Sequence, residues 1–288
     1  MAVPRLSDNK TLQILLRATD GGYGVLAAIA YNLEHVLGFI RAAEMRRSPL
    51  IIQLFPWAVR FSHGTLVHAA AIAAKQATVP VAIHLDHCQN ENLVKEACDL
   101  PFDSIMIDMS HLSKDENLKK TMELVSYCSV RGKATEAEPG RIEGGEDGIA
   151  NTVDLSGLMT SATEAQQFID AGVHILAPSF GNVHGEYGSR GIVLEYDRLE
   201  EIRRVTSQGS VFIALHGVNR FPEALTRRLI AAGVTKINVN RDVLMEYYTY
   251  MEEWMNKIPF TQLLEESVDI VARSMGQFMD IVMSSGRA

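Results

Sequence analysis

Cysteine is scarce in this chain. Cys88, Cys98 and Cys128 are the three it has, an odd number with no CxxC spacing. That excludes a disulfide framework as the source of stability and fits a reducing compartment. No apolar run reaches the length of about 18 residues that a membrane-spanning helix needs. The opening MAVPRLSDNK lacks the apolar core of a secretory leader, so a cytoplasmic protein is expected. Positive charge is also in deficit: 27 Lys and Arg stand against 35 Asp and Glu, a formal net charge of −8. A nucleic-acid binder normally carries a basic face, so neither nucleic acid nor membrane is an expected partner. No Pro/Gly/Ser-rich linker and no low-complexity tract divides the chain, which reads as one domain over residues 1–288. A glycine-rich phosphate loop after the first strand is missing too. GGYG (Gly21 to Gly24) lies before that strand, which weighs against a doubly wound dinucleotide sheet.

What is present is alternation. Hydrophobic residues make up 47% of the chain, enough for a sizeable core. Short β-rich runs are YGVLAAIAY (Tyr23 to Tyr31), PLIIQLF (Pro49 to Phe55), VPVAIHLD (Val79 to Asp86) and DSIMIDMS (Asp103 to Ser110). They continue with KATEAEP (Lys133 to Pro139), HILAPSF (His174 to Phe180), VFIALHG (Val211 to Gly217) and TKINVN (Thr235 to Asn240). Helical patterns such as KDENLKKTMELVSYC and PEALTRRLIAAG separate them, several ending at a C-capping glycine. Eight βα units over roughly 250 residues predict an α/β fold, a (β/α)8 TIM barrel. An extra C-terminal helix is expected from Thr261 to Ser284. The one long irregular stretch is PGRIEGGEDGIANTVDLSG (Pro139 to Gly157). Its glycines and acidic residues suit a lid that closes over a ligand, or a solvated loop.

Functional side chains of such a barrel sit at the C-terminal ends of the strands. VPVAIHLDHCQ ends an apolar run with His84, Asp86 and His87. His87 closes the third strand, Glu136 and Glu138 the fifth, and His216 the seventh, while His184 follows the sixth. Histidines and a carboxylate from four strands converge on one rim, a ligand set for zinc or a similar divalent ion. Glu136 and Glu138 share one side of their strand, so one can ligate while the other supports. His84 is either a packed, hydrogen-bonded residue inside the barrel or part of the site. His35, His63, His68, His111 and His174 fall on helical faces, in loops or at strand starts and read as structural.

The blocks HLDH, MIDMSH, EAEPGRIEGGEDG, SFGNVHGEYG, LHG and KINVN stand in one order and spacing. The chain in this respect resembles the class II, metal-dependent fructose-bisphosphate aldolases, with their tagatose-bisphosphate relatives, from about Ser7 to Arg287. The resemblance implies a zinc-dependent lyase performing reversible aldol cleavage of a ketose (bis)phosphate such as fructose 1,6-bisphosphate, through an enediolate stabilised by the metal. It implies that His87, His184 and His216 bind catalytic zinc, and that Asp108 and Glu138 belong to the metal environment and serve alternative metal positions. Asp86 becomes the proton donor and acceptor at the aldol hydroxyl, with an orienting role behind His87 as the alternative. Glu146, before the Asp of the GGED loop, becomes the base at the ketone carbon. Gly185, Gly217, Asn219 and Asn238 become substrate contacts. The family's partners are a phosphorylated ketose and an aldehyde, and its members are usually homodimers or homotetramers.

The departures concern substrate and leave the metal set intact. Val218, Asn219 and Arg220 stand where the family shows small residues for phosphate, and Arg241 where it shows a threonine. Arg220 and Arg241 can bind phosphate, bind carboxylate or fill the pocket. Ile29, Phe55 and Trp57 make one side more apolar than a sugar bisphosphate needs. A specialised substrate is therefore expected. A metal-dependent hydrolase and a catalytically silent metal-binding barrel are the competing readings, and the presence of both Asp86 and Glu146 disfavours each.

Overall fold

The computed structural model describes residues 6–144, 158–209 and 211–288. Parallel strands joined by helical crossovers bury both faces, one under helices and one against each other, so their sequences are apolar nearly throughout. Among the described residues, β1 (Val25–Ile29), β2 (Leu50–Leu54), β3 (Val81–Cys88), β4 (Ser104–Ile107), β5 (Ala134–Ala137), β6 (Ile175–Leu176), β7 (Phe212–Leu215) and β8 (Val234–Val239) form one closed parallel barrel in chain order. Closure is made by β1, where Ala27 lies opposite both Ile51 of β2 and Asn238 of β8. The (β/α)8 expectation is met.

The surrounding helices are α1 (Lys10–Gly21), α2 (Leu33–Arg46), α3 (Pro56–Phe61), α4 (Thr65–Gln76), α5 (Glu91–Ala97), α6 (Lys114–Ser129), α7 (Ala162–Asp170), α8 (Tyr196–Gly209), α9 (Glu223–Ala231), α10 (Arg241–Trp254) and α11 (Phe260–Ile281). All eight expected strands occur, most of them trimmed at their ends, while β3 runs on from the expected Asp86 to Cys88 and β8 begins one residue early at Val234. The sixth is the shortest, because the backbone of Ser179 leaves the sheet to pair with Thr160: N–H of Thr160 to O of Ser179 is 2.7 Å, and N–H of Ser179 to Oγ1 of Thr160 is 2.9 Å.

The helical stretches legible in the sequence do not include α1. Its Ile14, Leu15 and Ala18 join the inward-facing Val25, Ala27, Ile51 and Ala82 in one buried cluster, so α1 closes the N-terminal end of the barrel. Asn9 caps it by accepting the N–H of Leu12, and its amide donates to the carbonyls of Asp103 (2.6 Å) and Gly132 (3.0 Å) below β4 and β5. The opposite end is left for chemistry. The C-terminal helix runs Phe260–Ile281, ending before the expected Ser284, whose N–H instead bonds the carbonyl of Met279 at 3.0 Å. It packs along α2, where a Cβ on Gly38 would lie 2.6 Å from Cβ of Val271. Cys88, Cys98 and Cys128 are free and buried, with the Sγ atoms of Cys98 and Cys128 3.6 Å apart. No described helix is long and apolar enough to cross a membrane.

Candidate metal centre and active site

Period-two alternation places His84 and Asp86 on the inner face of β3 and would turn His87 outward. It does not, because the ladder shifts register between Leu85 and Cys88 and His87 has φ of +45°. This bulge swings the imidazole to the side of Asp86. Left-handed backbone at a non-glycine residue costs on the order of 1–3 kcal/mol and persists where its surroundings over-determine it. Here the ring is held by Asp108, whose Oδ2 lies 2.9 Å from Nδ1 of His87.

Three rings then meet. Nε2 of His87 is 3.0 Å from Nδ1 of His216, and Nε2 of His184 is 3.4 Å from the same nitrogen. The outer faces of two of these rings are already committed. Nδ1 of His87 donates to Asp108, and Nε2 of His216 lies 2.8 Å from Oε1 of the carboxylate of Glu136. Nδ1 of His216 then carries a lone pair, and the nitrogens that face one another can share one cation, a proton or a metal ion. Zinc with Zn–N bonds of about 2.0–2.1 Å in tetrahedral geometry spaces its nitrogens by about 3.3 Å. The donor set and its spacing fit a divalent ion, and two of the three imidazoles have the carboxylate support that metal-ligating histidines usually have.

The charges agree. Burial pushes the imidazolium of His87 down, but the Asp86 charge, the hydrogen bond that His87 donates to Asp108 and the Glu138 charge outweigh it and hold His87 at about 10. Burial lowers His216, and burial with the neighbouring His87 charge lowers His184 well below the ordinary value. One cation is thus strongly favoured at this point and further protons are not. Burial raises Asp108, yet the contacts with His87 and Ser110 hold it well below the carboxylate range. Glu138 moves the other way: burial and the adjacent Asp108 carboxylate push it up to about 8. Its Oε1 accepts the N–H of Ile142, and its Oε2 is buried without a partner.

Among the described residues, three groups of His, Asp and Glu lie close enough to share an ion: His87, His184 and His216; His87, Asp108 and Glu138; and His84, Asp86 and Glu136. The first two share His87 and suit one ion moving between two positions, or two ions. The third already contains a cation. Nζ of Lys236 lies 2.9 Å from Oε2 of Glu136 and 2.7 Å from Oδ1 of Asn238, and all these groups are buried. His84 is a packed interior residue. Its Nδ1 is 2.7 Å from Oγ of Ser104, and burial with the nearby Lys236 charge lowers it to about 3. Of the two glutamates, Glu136 within β5 supports His216, and Glu138, just past the end of β5, faces His87 and Asp108.

Asp86 accepts a 2.8 Å bond from Nε2 of Gln53 and lies 3.4 Å from Nδ2 of Asn238, whose amide covers the ring of His216 at 3.2 Å. Two cavities flank the rings. One of about 40 Å³ runs from His184 and Asn238 past Gly185, Gly217 and Asn219 to Arg241. Gly217 has φ of +73°, and a Cβ there would lie 2.2 Å from O of Val183, so no side chain is tolerated at that wall. The other, about 220 Å³, is bounded by His87, Asp108, Glu138, Phe55 and Arg141. Ile29 lines the smaller cavity. Trp57 does not line the larger; it stacks on Phe61 at 4.9 Å, half exposed. Arg241 and Arg220 both reach Oε1 of Glu186, at 3.4 and 3.5 Å, but Arg220 is 75% exposed and lies outside the small cavity. His35, His63, His68, His111 and His174 are in none of the ligand groups. Glu146 and most of the expected lid lie outside the described residues.

Sequence reasoning misses Lys236, Gln53 and Asn182, whose Nδ2 donates to the carbonyl of His216 at 3.1 Å. The signal for the first two exists: Gln53 is a polar residue in the otherwise apolar β2, and Lys236 is a cation within a wholly buried strand.

Comparison with known proteins agrees with this geometry. The family profile described as fructose-bisphosphate aldolase class-II matches residues 9–287. A Coccidioides immitis protein provisionally named as a fructose-bisphosphate aldolase is 46% identical, covering 100% of this chain and 98% of that one. An Alkalicoccus urumqiensis protein named sulfofructosephosphate aldolase is 36% identical over 85% of each chain. A crystal structure from Coccidioides immitis with the same provisional assignment superposes with a TM-score of 0.92 at 47% identity, covering 97% of this chain and 98% of that one. The YdjI aldolase from Escherichia coli K12 gives 0.82 at 25% identity, over 96% and 98%.

Proposed function

The chain belongs to the class II fructose-bisphosphate aldolase family, a family of metal-dependent lyases acting on phosphorylated sugars, and from that premise we propose that it is a zinc-dependent aldolase cleaving a ketose phosphate reversibly into a three-carbon ketone and an aldehyde. The observation that carries this is the meeting of ring nitrogens of His87, His184 and His216 at one point, with Asp86 beside them. These three histidines hold the zinc, with Asp108 and Glu138 offering an alternative position. A divalent ion held there supplies a Lewis acid for the negative charge that C–C cleavage leaves beside the ketone.

The chain's own groups do the rest. Asp86, fixed by Gln53 and Asn238, takes the proton of the hydroxyl on the aldehyde half and returns it in the reverse direction. Nδ2 of Asn238 donates to the oxygen at the reacting centre of the ketone half. Glu146 moves the proton at the ketone carbon. Gly185, Gly217 and Asn219 shape the small cavity, and the guanidinium of Arg241 takes the anionic end of the ketone half there. Arg220 acts on Arg241 through Glu186. Lys236 is fully buried and engaged, so a lysine Schiff base has no available amine among these groups.

The test is hydrogen exchange into deuterated solvent at the hydroxymethyl carbon of dihydroxyacetone phosphate, with zinc-loaded and chelator-treated protein. Zinc-dependent exchange is expected. Its absence in folded, zinc-loaded protein overturns this donor, and its absence with unphosphorylated and carboxylate ketones as well overturns the aldolase reading.

A further inference from the structure

Among the described residues, Lys236 is the one Lys or Arg buried within the fold, and it is fully buried. A lone ammonium in a barrel interior is costly unless paired and hydrogen-bonded. The partners it has are informative. Oε2 of Glu136 is at 2.9 Å and Oδ1 of Asn238 at 2.7 Å. Each leads to a different part of the site. The other oxygen of Glu136 lies 2.8 Å from Nε2 of His216. The other end of Asn238, its Nδ2, lies 3.4 Å from Asp86.

We propose that Lys236 is a positioning residue that sets two things at once, the ligating tautomer of His216 and the direction of the Asn238 amide. This rests on the zinc-aldolase reading above. On the first arm, the ammonium 2.9 Å from Oε2 fixes the Glu136 side chain with Oε1 turned to Nε2 of His216, and a carboxylate oxygen accepts. Nε2 of His216 must then carry the proton, which leaves Nδ1 with the lone pair facing His87 and His184. On the second arm, an ammonium can only donate. Oδ1 of Asn238 must face it, so Nδ2 faces Asp86 and the substrate side. Without Lys236 only the long 3.4 Å contacts of Nδ2 with the Asp86 carboxylate are left to favour that direction.

The two arms separate experimentally. Lys236→Met removes both constraints, while Lys236→Met with Glu136→Gln removes the unpaired charge but keeps an acceptor oxygen for His216. The glutamine amide can turn to Nε2 of His84, which has no partner and lies 3.5 Å from that position. Zinc affinity is measured by competition with a chromophoric chelator, exchange at dihydroxyacetone phosphate by NMR, and folding by thermal melts. Wild-type protein is measured first; failure of wild type to bind zinc or to exchange counts against the aldolase reading and is thereby distinguished. Lys236→Met is expected to weaken zinc binding about 10- to 100-fold, the usual effect of losing a support behind a ligating histidine. The double variant is expected to recover most of that affinity and to keep the exchange defect. Zinc affinity and exchange of Lys236→Met within twofold of wild type overturn the proposal. If the single variant does not fold, wild-type exchange by the double variant overturns it equally.

Discussion

Nδ1 of His87 and Oδ2 of Asp108 lie 2.9 Å apart, joining a bulged residue of β3 to the loop just beyond β4. The contact holds a ring in left-handed backbone and turns its Nε2 toward the other two histidines. Asp108→Asn keeps the shape but removes the charge. Zinc affinity is expected to fall about 10- to 100-fold, by competition titration, with little change in far-UV circular dichroism.

Arg241 lines the small cavity and Arg220 does not. If Arg241 holds the anionic end of the ketone, Arg241→Ala forfeits a charged hydrogen bond inside a partly enclosed site. Such bonds contribute about 1.5–3 kcal/mol, so KM for dihydroxyacetone phosphate in the exchange assay should rise about 10- to 100-fold. Arg220→Ala should change it by less than about fivefold, since exposed ion pairs contribute about 0–1 kcal/mol. Equal effects would contradict this assignment.

His35 and His174 are held below the ordinary imidazole value by burial, His35 to about 4. Depressed values mean that folding favours the neutral ring. Their contribution to stability is complete above pH 6.5 and is lost as pH falls from there toward about 4. For His35 alone the loss is on the order of 3 kcal/mol across that window. Urea midpoints should decline from pH 7.5 to pH 5, and a flat profile would refute the assignment.

Gly38 lets α11 approach α2, because a Cβ there meets Val271 at 2.6 Å. Gly38→Leu is expected to cost about 1–3 kcal/mol through overpacking, against a small gain in helix propensity. Val271→Ala in the same chain should return part of that loss. Calorimetric midpoints of the two variants decide it.

Glu146→Gln should leave zinc stoichiometry unchanged and abolish exchange at the ketone carbon, if the residue moves that proton. Exchange at the wild-type rate removes Glu146 from the mechanism.

Much of this protein is determined by its sequence alone. Eight apolar runs separated by amphipathic helices have few ways to bury themselves, and the closed parallel barrel follows from that pattern. Ionisable residues at the ends of those runs then have to share one rim, which is why His87, His184 and His216 are legible as a set although far apart in the chain. The tertiary structure decided matters that period and composition do not encode. A regular β3 would point His87 away from Asp86; only the bulge, stabilised by Asp108 from the loop just beyond β4, brings both inward. Glu136 and Glu138 look equivalent on one strand face, yet the first meets Lys236 and His216 and the second meets His87 and Asp108. Arg220 and Arg241 look equivalent as replacements, yet one lines the cavity and the other faces solvent. The burial of helix α1 depends on a barrel mouth that exists only once all eight strands have closed. Such differences arise from contacts between residues distant in sequence, so local propensity carries no record of them.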